Sequence, residues 1–81
     1  MESYIIINGS NAEQCAKAIA AFYDTTYSEI TDSPVYKGSY KVECNEQLEN
    51  DLCIDEETAK GALFSIESQT GVSIDIDDIE F

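Results

Sequence analysis

The sequence predicts an α+β domain with two helices packed on one face of a three- or four-stranded, mostly antiparallel sheet. Two segments, 11–25 and 56–70, carry apolar residues at helical spacing, and capping residues flank them. Other segments run apolar or alternate between apolar and polar positions, which is typical of strands. The 81 residues correspond to one domain, 1–81, with a modest core.

The first predicted strand covers residues 3–7, which are apolar at successive positions from Tyr4 onward. That pattern is typical of an inner strand that is covered on at least one face. Ser10 and Glu13 then match a capping box at the start of the first helix, 11–25. Alanines along the apolar stripe of this helix would let it lie close to a sheet.

The middle of the chain leaves one alternative open. Residues 25–34 are polar and end in a turn signal, so we predict a loop there. Residues 35–44 alternate as a strand does, and Gly38 within them indicates either a kink in one long strand or the turn of a tight hairpin. We predict a polar connection at 45–50 and a short strand at 52–54.

The second helix, 56–70, has clear boundaries in the sequence. Asp55 is a favourable N-cap, acidic residues fill the first turn, and Gly71 stands where a C-terminal glycine belongs. Residues 72–76 alternate as a strand with one buried face, and a bulge at 77–78 would restore that phase. With a hairpin in the middle, the order becomes βαββαβ, the ferredoxin-like arrangement.

The charge distribution is strongly asymmetric. The net charge is −13, and there is no His and no Arg. Residues 42–81 contain twelve acidic side chains against Lys60 alone, which gives −11, whereas residues 1–41 carry −2. Such asymmetry destabilises a compact chain by self-repulsion, so it favours a function that uses it. Anionic lipid and nucleic acid would be repelled, and a positively charged partner would be attracted.

The residues needed for catalysis are scarce. Without His and Arg, the usual general base and the bidentate phosphate clamp are missing. The sequence contains no Gly-rich phosphate loop and no nucleophile motif. The acidic run 75–80 lacks the spacing and the glycine of an EF-hand. We therefore predict a protein that is not an enzyme, with no cofactor and no metal site.

The three cysteines, Cys15, Cys44 and Cys53, form neither a disulfide framework nor a zinc-binding motif. Cys15 and Cys44 stand at apolar-face positions, where free cysteine acts as a small hydrophobic residue. A Cys44–Cys53 pair is conceivable across a hairpin, although a reducing cytosol disfavours it. Apolar stretches such as Tyr4 to Ile7 are far too short for a membrane span, and we predict a cytoplasmic protein.

The leading functional hypothesis is that acidic side chains of the second half bind a basic, nucleic-acid-binding surface of a partner protein. The predicted contact residues are Glu43, Glu46, Glu49, Asp51, Asp55, Glu56, Glu57, Asp75, Asp77, Asp78 and Glu80. In its profile of about 80 residues, strong acidity, mixed α and β elements and no catalytic motif, the whole chain resembles small acidic phage inhibitors of host defence. These include anti-CRISPR proteins and DNA mimics that block restriction enzymes, and they share no sequence motif. The resemblance implies inhibition by occupying the nucleic-acid site of a CRISPR effector subunit or similar enzyme.

Two alternative hypotheses remain. The chain could be an adaptor or assembly subunit, monomeric or dimeric, that contacts another protein through Tyr27, Tyr36 and Tyr40 on an exposed sheet face. Acidity could also be an adaptation to high salt, but the nearly neutral first half disfavours that explanation because halophilic surfaces are acidic throughout.

Overall fold

The computed structural model describes residues 3–81 as an open four-stranded antiparallel sheet with three helices, which confirms the predicted α+β class. The strands are β1 (Tyr4–Ile7), β2 (Tyr27–Glu29), β3 (Tyr40–Glu43) and β4 (Ile79–Glu80). The helices are α1 (Ala12–Tyr23), α2 (Glu46–Leu52) and α3 (Glu56–Thr70). None of these helices has the length and apolar character that crossing a bilayer requires.

The strand order is β2-β3-β1-β4, with every neighbouring pair antiparallel. Ile5 lies opposite Val42, and Ile7 lies opposite Ile79. The crossover β1–α1–β2 passes over β3, and the crossover β3–α2–α3–β4 passes over β1. These two split βαβ units are the ferredoxin-like topology that the βαββαβ order predicts, with α2 added. The apolar strand β1 is an inner strand, as predicted.

One side of the sheet faces the helices and forms the core. The completely buried side chains include Ile7 and Val42 from the sheet, Ile19 from α1 and Ile66 from α3. Burial of each stabilises the fold by about 1.5–3 kcal/mol relative to exposure. The alanines of α1 that are buried with them are Ala12, Ala16, Ala18 and Ala20. Their small side chains let α1 lie close to β3, as the sequence predicts.

The two long helices begin differently. Asn11 is the N-cap of α1, and its side chain makes no capping hydrogen bond, so the predicted capping box at Ser10 and Glu13 is wrong. The turn before the helix supplies a backbone carbonyl instead, since Gly9 O accepts from the Ala12 amide at 3.3 Å. Helix α1 also ends before residue 25, because Asp24 adopts the left-handed conformation with φ of 55°.

Helix α3 has the predicted boundaries. The Asp55 side chain accepts a hydrogen bond from the Thr58 amide at 2.7 Å. Gly71 ends the helix in the left-handed conformation, with φ of 77°. Its amide donates to the Glu67 carbonyl at 2.8 Å, which satisfies one of the terminal carbonyl groups.

The predicted loop at 25–34 is partly wrong because it contains β2, which pairs with β3. Neither alternative for residues 35–44 is correct. The hairpin is formed by β2 and β3, and its connection, 30–39, contains a 3₁₀ turn at Pro34–Tyr36. Local sequence could not reveal β2, since its three residues become a strand by pairing with a distant partner.

The predicted connection at 45–50 and the short strand at 52–54 are wrong, because α2 occupies Glu46–Leu52. The Asn45 side chain caps α2 by accepting from the Leu48 amide at 2.9 Å. Leu48 and Leu52, four residues apart, are buried on one face of the helix. An N-cap followed by two leucines at helical spacing is a short-helix signal that the acidic composition obscured.

The predicted strand at 72–76 is also wrong, since this segment pairs with no strand in the described part of the chain. Its side chains Val72, Ile74 and Ile76 pack against the core without a ladder. A 3₁₀ turn at Ile76–Asp78 replaces the predicted bulge. The turn changes the phase of the chain and buries Ile79 at the start of β4, as the bulge was predicted to do, whereas Phe81 is 60% exposed.

Candidate functional site

The acidic side chains of α2 lie at the end of the molecule where β1 begins and α1 ends. The Asp51 carboxylate accepts from the Tyr23 hydroxyl of α1 at 3.0 Å, and Glu49 accepts from the Ser3 hydroxyl at 3.0 Å. Burial, together with the adjacent Asp51 carboxylate, raises the pKa of Tyr23 above its ordinary value. Glu46 makes no side-chain hydrogen bond within residues 3–81. Two of these three carboxylates therefore have a structural contact.

The acidic side chains at the start of α3 have a partly structural role as well. Both carboxylate oxygens of Asp55 accept from Thr58, at 2.7 Å from its amide and 3.1 Å from its hydroxyl. The hydrogen bond from the Thr58 amide is the main cause of the lowered pKa of Asp55. Glu56 lies 3.8 Å from Lys60 in the one salt bridge found among residues 3–81. Both of its members are mostly exposed, so the pair contributes little to stability.

The C-terminal acidic residues surround the 3₁₀ turn. The Asp75 side chain accepts from the Asp77 amide at 2.9 Å. Asp78 is held by its backbone, since its carbonyl accepts from the Asn8 amide at 2.7 Å and its amide donates to Asp75. The Asp77 carboxylate itself accepts no hydrogen bond within the described residues, so it remains available to a ligand.

A groove of about 340 Å³ joins the start of α3 to this C-terminal turn. Its acidic lining residues are Asp55, Glu56 and Asp77. Its apolar lining is formed by Leu52, Ile54, Ala59, Ile76 and Phe81, with Cys53 beside them. We call this concavity the acidic groove. It brings together carboxylates from two segments that are about twenty positions apart in the sequence.

The other predicted contact residues do not join this groove. By the strand register, Glu43 opposite Tyr4 and Glu80 opposite Ile6 project from the sheet face that points away from the helices. Asp78 lies beside Gly9. Ten of the eleven predicted carboxylate residues are exposed and Asp51 is half-buried. The charge stays at the surface but extends over more than one face.

The three tyrosines of the adaptor hypothesis do not share a surface. Tyr27 and Tyr40 pack together on the helix-facing side of the sheet, with ring centroids 6.3 Å apart, and lie against the core. Tyr36 belongs to the connection that covers the opposite face, near Tyr4. Its hydroxyl lies beside the Glu80 carboxylate, which raises the pKa of Tyr36. One contact surface formed by Tyr27, Tyr36 and Tyr40 is therefore not supported.

The cysteines carry free thiols, at Cys15, Cys44 and Cys53. Burial raises the pKa of Cys44 to about 11, and the neighbouring Cys53 thiol contributes to the shift. Burial and the charge of Asp78 raise the pKa of Cys15. All three groups are therefore protonated near neutral pH, where they are weak nucleophiles. Among residues 3–81 no three Cys, Asp or Glu side chains converge closely enough to hold a metal ion.

Sequence reasoning missed the apolar part of the acidic groove. Ile54 and Phe81 are large side chains that are 66% and 60% exposed. A single apolar residue in a polar segment is ordinary in sequence, and only the fold shows that these two line the same concavity.

Comparison of the chain with protein-family models, curated proteins and solved structures found no match. The function therefore has to be inferred from these side chains.

Proposed function

We propose that this chain is a non-catalytic protein that binds a basic, nucleic-acid-binding surface of a partner and thereby blocks it. The observation that carries the proposal is the exposed charge of residues 42–81. This half holds twelve acidic residues against one lysine, and eleven of the twelve are exposed. Carboxylates so displayed can occupy the Lys and Arg positions that otherwise hold phosphates.

The positions of the lysines indicate which side of the protein a basic partner would approach. Lys17, Lys37 and Lys41 belong to the first half of the chain, and Lys41 lies 5.3 Å from the Tyr4 ring centroid on the outer sheet face. A basic partner would therefore be steered toward α2, α3 and the C-terminal turn. Association would be fast and sensitive to salt, as is usual for charge-steered encounters.

The finer proposal follows the resemblance to phage inhibitors of host defence. The partner would be a CRISPR effector subunit or a similar nucleic-acid-processing enzyme, and the chain would act in the cytoplasm as a mimic of nucleic acid. Three free cysteines are compatible with a reducing compartment. The same chemistry would apply to any partner whose basic groove normally holds a phosphate backbone.

The test compares two variants with equal net charge. Each carries four exposed carboxylates converted to amides, which changes the net charge from −13 to −9. The test set is Glu43→Gln, Glu46→Gln, Glu57→Gln and Asp77→Asn, all in the acidic half. The control set is Glu13→Gln, Asp24→Asn, Glu29→Gln and Asp32→Asn, all in the other half.

Wild-type protein is used to capture partners from a bacterial lysate over a salt series, and the captured proteins are identified by mass spectrometry. For a captured nucleic-acid-binding protein, the test set should weaken binding by about tenfold or more, while the control set changes it far less. Added nucleic acid should compete with the chain for the partner. Equal weakening by both sets, or simultaneous binding of chain and nucleic acid, would contradict the proposal.

A further inference from the structure

The acidic groove combines an exposed apolar wall with three carboxylates. Its apolar wall includes Ile54 and Phe81, two of the five large hydrophobic side chains that are exposed among residues 3–81. A second concavity of about 170 Å³, lined by Phe64 and Ile74 among others, adjoins it through the shared residue Ile76. Exposed apolar surface grouped in this way marks an interaction site more often than isolated apolar residues do.

Charge complementarity indicates what would occupy this groove. The Asp77 carboxylate is free to accept a hydrogen bond from a ligand. The Glu56 side chain can exchange its exposed partner Lys60 for a cation of the ligand, since an exposed pair of this kind is weak. Asp55, held by Thr58, adds a fixed negative charge beside them. A ligand with positive groups on both sides of an apolar group would satisfy these features.

We propose that the acidic groove binds a Lys- or Arg-rich segment of the partner protein, which inserts a large apolar side chain between Ile54 and Phe81. This inference rests on the proposed function and adds the anchoring point and the chemistry of the bound segment. The volume of about 340 Å³ lies at the lower end of the range for ligand pockets, which suits side chains of a peptide. Charge would guide the segment to the surface, and the apolar contact would lengthen its residence.

A second copy of this chain is a poor occupant. Two copies would each bring a net charge of −13, and the groove itself is lined by three carboxylates. Self-association through this surface would place like charges opposite one another, which costs several kcal/mol in an interface. The same repulsion excludes an acidic segment, so a basic segment is the occupant that the groove fits.

The probes are three short peptides whose binding is followed by shifts of the backbone amide signals in two-dimensional NMR. The first, acetyl-Lys-Lys-Leu-Leu-Lys-Lys-amide, has both features of the proposed segment. The second replaces both leucines with serine, and the third replaces all four lysines with serine. We expect the first peptide to bind about tenfold more tightly than the second. Its shifts should concentrate at residues 52–56, 76–77 and 81.

A double variant and a control variant test the apolar anchor directly. Ile54→Ser combined with Phe81→Ser removes the exposed apolar walls without changing the net charge. It should reduce the affinity for the Leu-Leu peptide to that for the Ser-Ser peptide. The control is Val35→Ser, since Val35 is 82% exposed and belongs to the connection on the other side of the sheet. It should leave binding unchanged.

The outcomes separate this inference from the proposed function. If both lysine peptides bind equally, or if the Ile54 and Phe81 variant binds as wild type does, the groove proposal fails while capture by charge remains. If the peptide without lysine binds as tightly as the first, the apolar walls bind without charge, which overturns the basic segment as the occupant, while the charge-matched variants above decide the proposed function separately. Shifts at the groove that depend on protein concentration without peptide would identify a second copy as the occupant and overturn the inference.

Discussion

Helices α1 and α3 cover the same face of the sheet but differ in what they contribute. Helix α1 has twelve residues, of which seven are buried, and its charged residues are Glu13 and Lys17. Helix α3 has fifteen residues, of which three are buried, and it carries three acidic side chains against Lys60. Of these two helices, α1 therefore contributes more buried residues to the core, although it is shorter than α3.

This difference explains how a small domain tolerates so much charge. The core formed by α1 and the sheet does not depend on the exposed face of α3. That face, with α2 and the C-terminal turn, can therefore carry negative charge and exposed apolar side chains without disrupting the fold. Buried side chains from both halves of the chain stabilise the fold, and the proposed ligand-binding role belongs to exposed side chains of the second half, as is common where binding residues stand on a rigid scaffold.

The largest expected effect is a difference in the free energy of unfolding between a variant of a buried α1 residue and a variant of an exposed α3 residue. Ile19 of α1 is completely buried, whereas Phe64 of α3 is 70% exposed. Ile19→Ala should lower the free energy of unfolding by about 2–5 kcal/mol because it removes buried methyl groups and leaves a cavity. Phe64→Ala should change it by less than about 0.5 kcal/mol, although it removes more atoms. Chemical denaturation checks both, and a similar cost for the two would contradict the conclusion that the core does not depend on the exposed face of α3.

The next effect concerns the contact between the two halves. Asn45 caps α2 and also donates its side-chain amide to the Tyr23 carbonyl at the end of α1, at 2.7 Å. Asn45→Ala should therefore cost about 1–2 kcal/mol, since it removes a cap and leaves a carbonyl without its partner. Asn50→Ala is the matched control, because Asn50 is exposed within the same helix. Thermal unfolding of both variants measures the difference, and equal melting temperatures would refute the structural role of Asn45.

The same comparison explains what the sequence could predict. Helix α1, β1 and α3 have periodic or uniform apolar patterns, which correctly predict that each element exists, although the predicted cap and C-terminal end of α1 are wrong. Strand β2 and the segment 72–76 were not, because their state depends on whether a distant partner is available for pairing. Helix α2 was missed because its two buried leucines stand among acidic residues.

The site was predictable only in its charge. Composition identifies the acidic half, and structure shows which carboxylates are held by internal contacts, such as Asp51 with Tyr23. No pattern along the chain relates Ile54 to Phe81, which come together through the fold of α3 and the C-terminal turn. Apolar anchors within an acidic surface are therefore a property of tertiary structure.

Neutralising one acidic side chain near a helix end should have a smaller effect on the free energy of unfolding, with opposite sign in the two helices. Glu67 stands in the last turn of α3, where a negative side chain opposes the helix dipole, whereas Glu13 stands in the first turn of α1, where it is favourable. Glu67→Gln should raise the free energy of unfolding by roughly 0.5 kcal/mol and Glu13→Gln should lower it by a similar amount. Both residues are exposed, so high salt should reduce both effects. Denaturation at low and high ionic strength measures them, and effects of the same sign would show that net charge, rather than position, decides stability.

The smallest effect distinguishes how the two helices begin. Asp55 caps α3 through its carboxylate, whereas the Asn11 side chain makes no cap at α1. The Thr58 amide lowers the pKa of Asp55 below its ordinary value of 3.8. Its stabilising contribution is therefore present above that value and is lost as pH falls through the lower pKa of the folded state.

Asp55→Asn keeps an amide oxygen as acceptor but removes the charge, so its stability deficit relative to wild type should shrink as pH falls below 4. The other carboxylates are present in both proteins, so most of their own titration is removed by the comparison. The control is Asn11→Ala, which removes no capping hydrogen bond, and its stability relative to wild type should not change over the same pH range. A deficit that stays constant from neutral to acidic pH would mean that the charge of Asp55 contributes nothing to the cap.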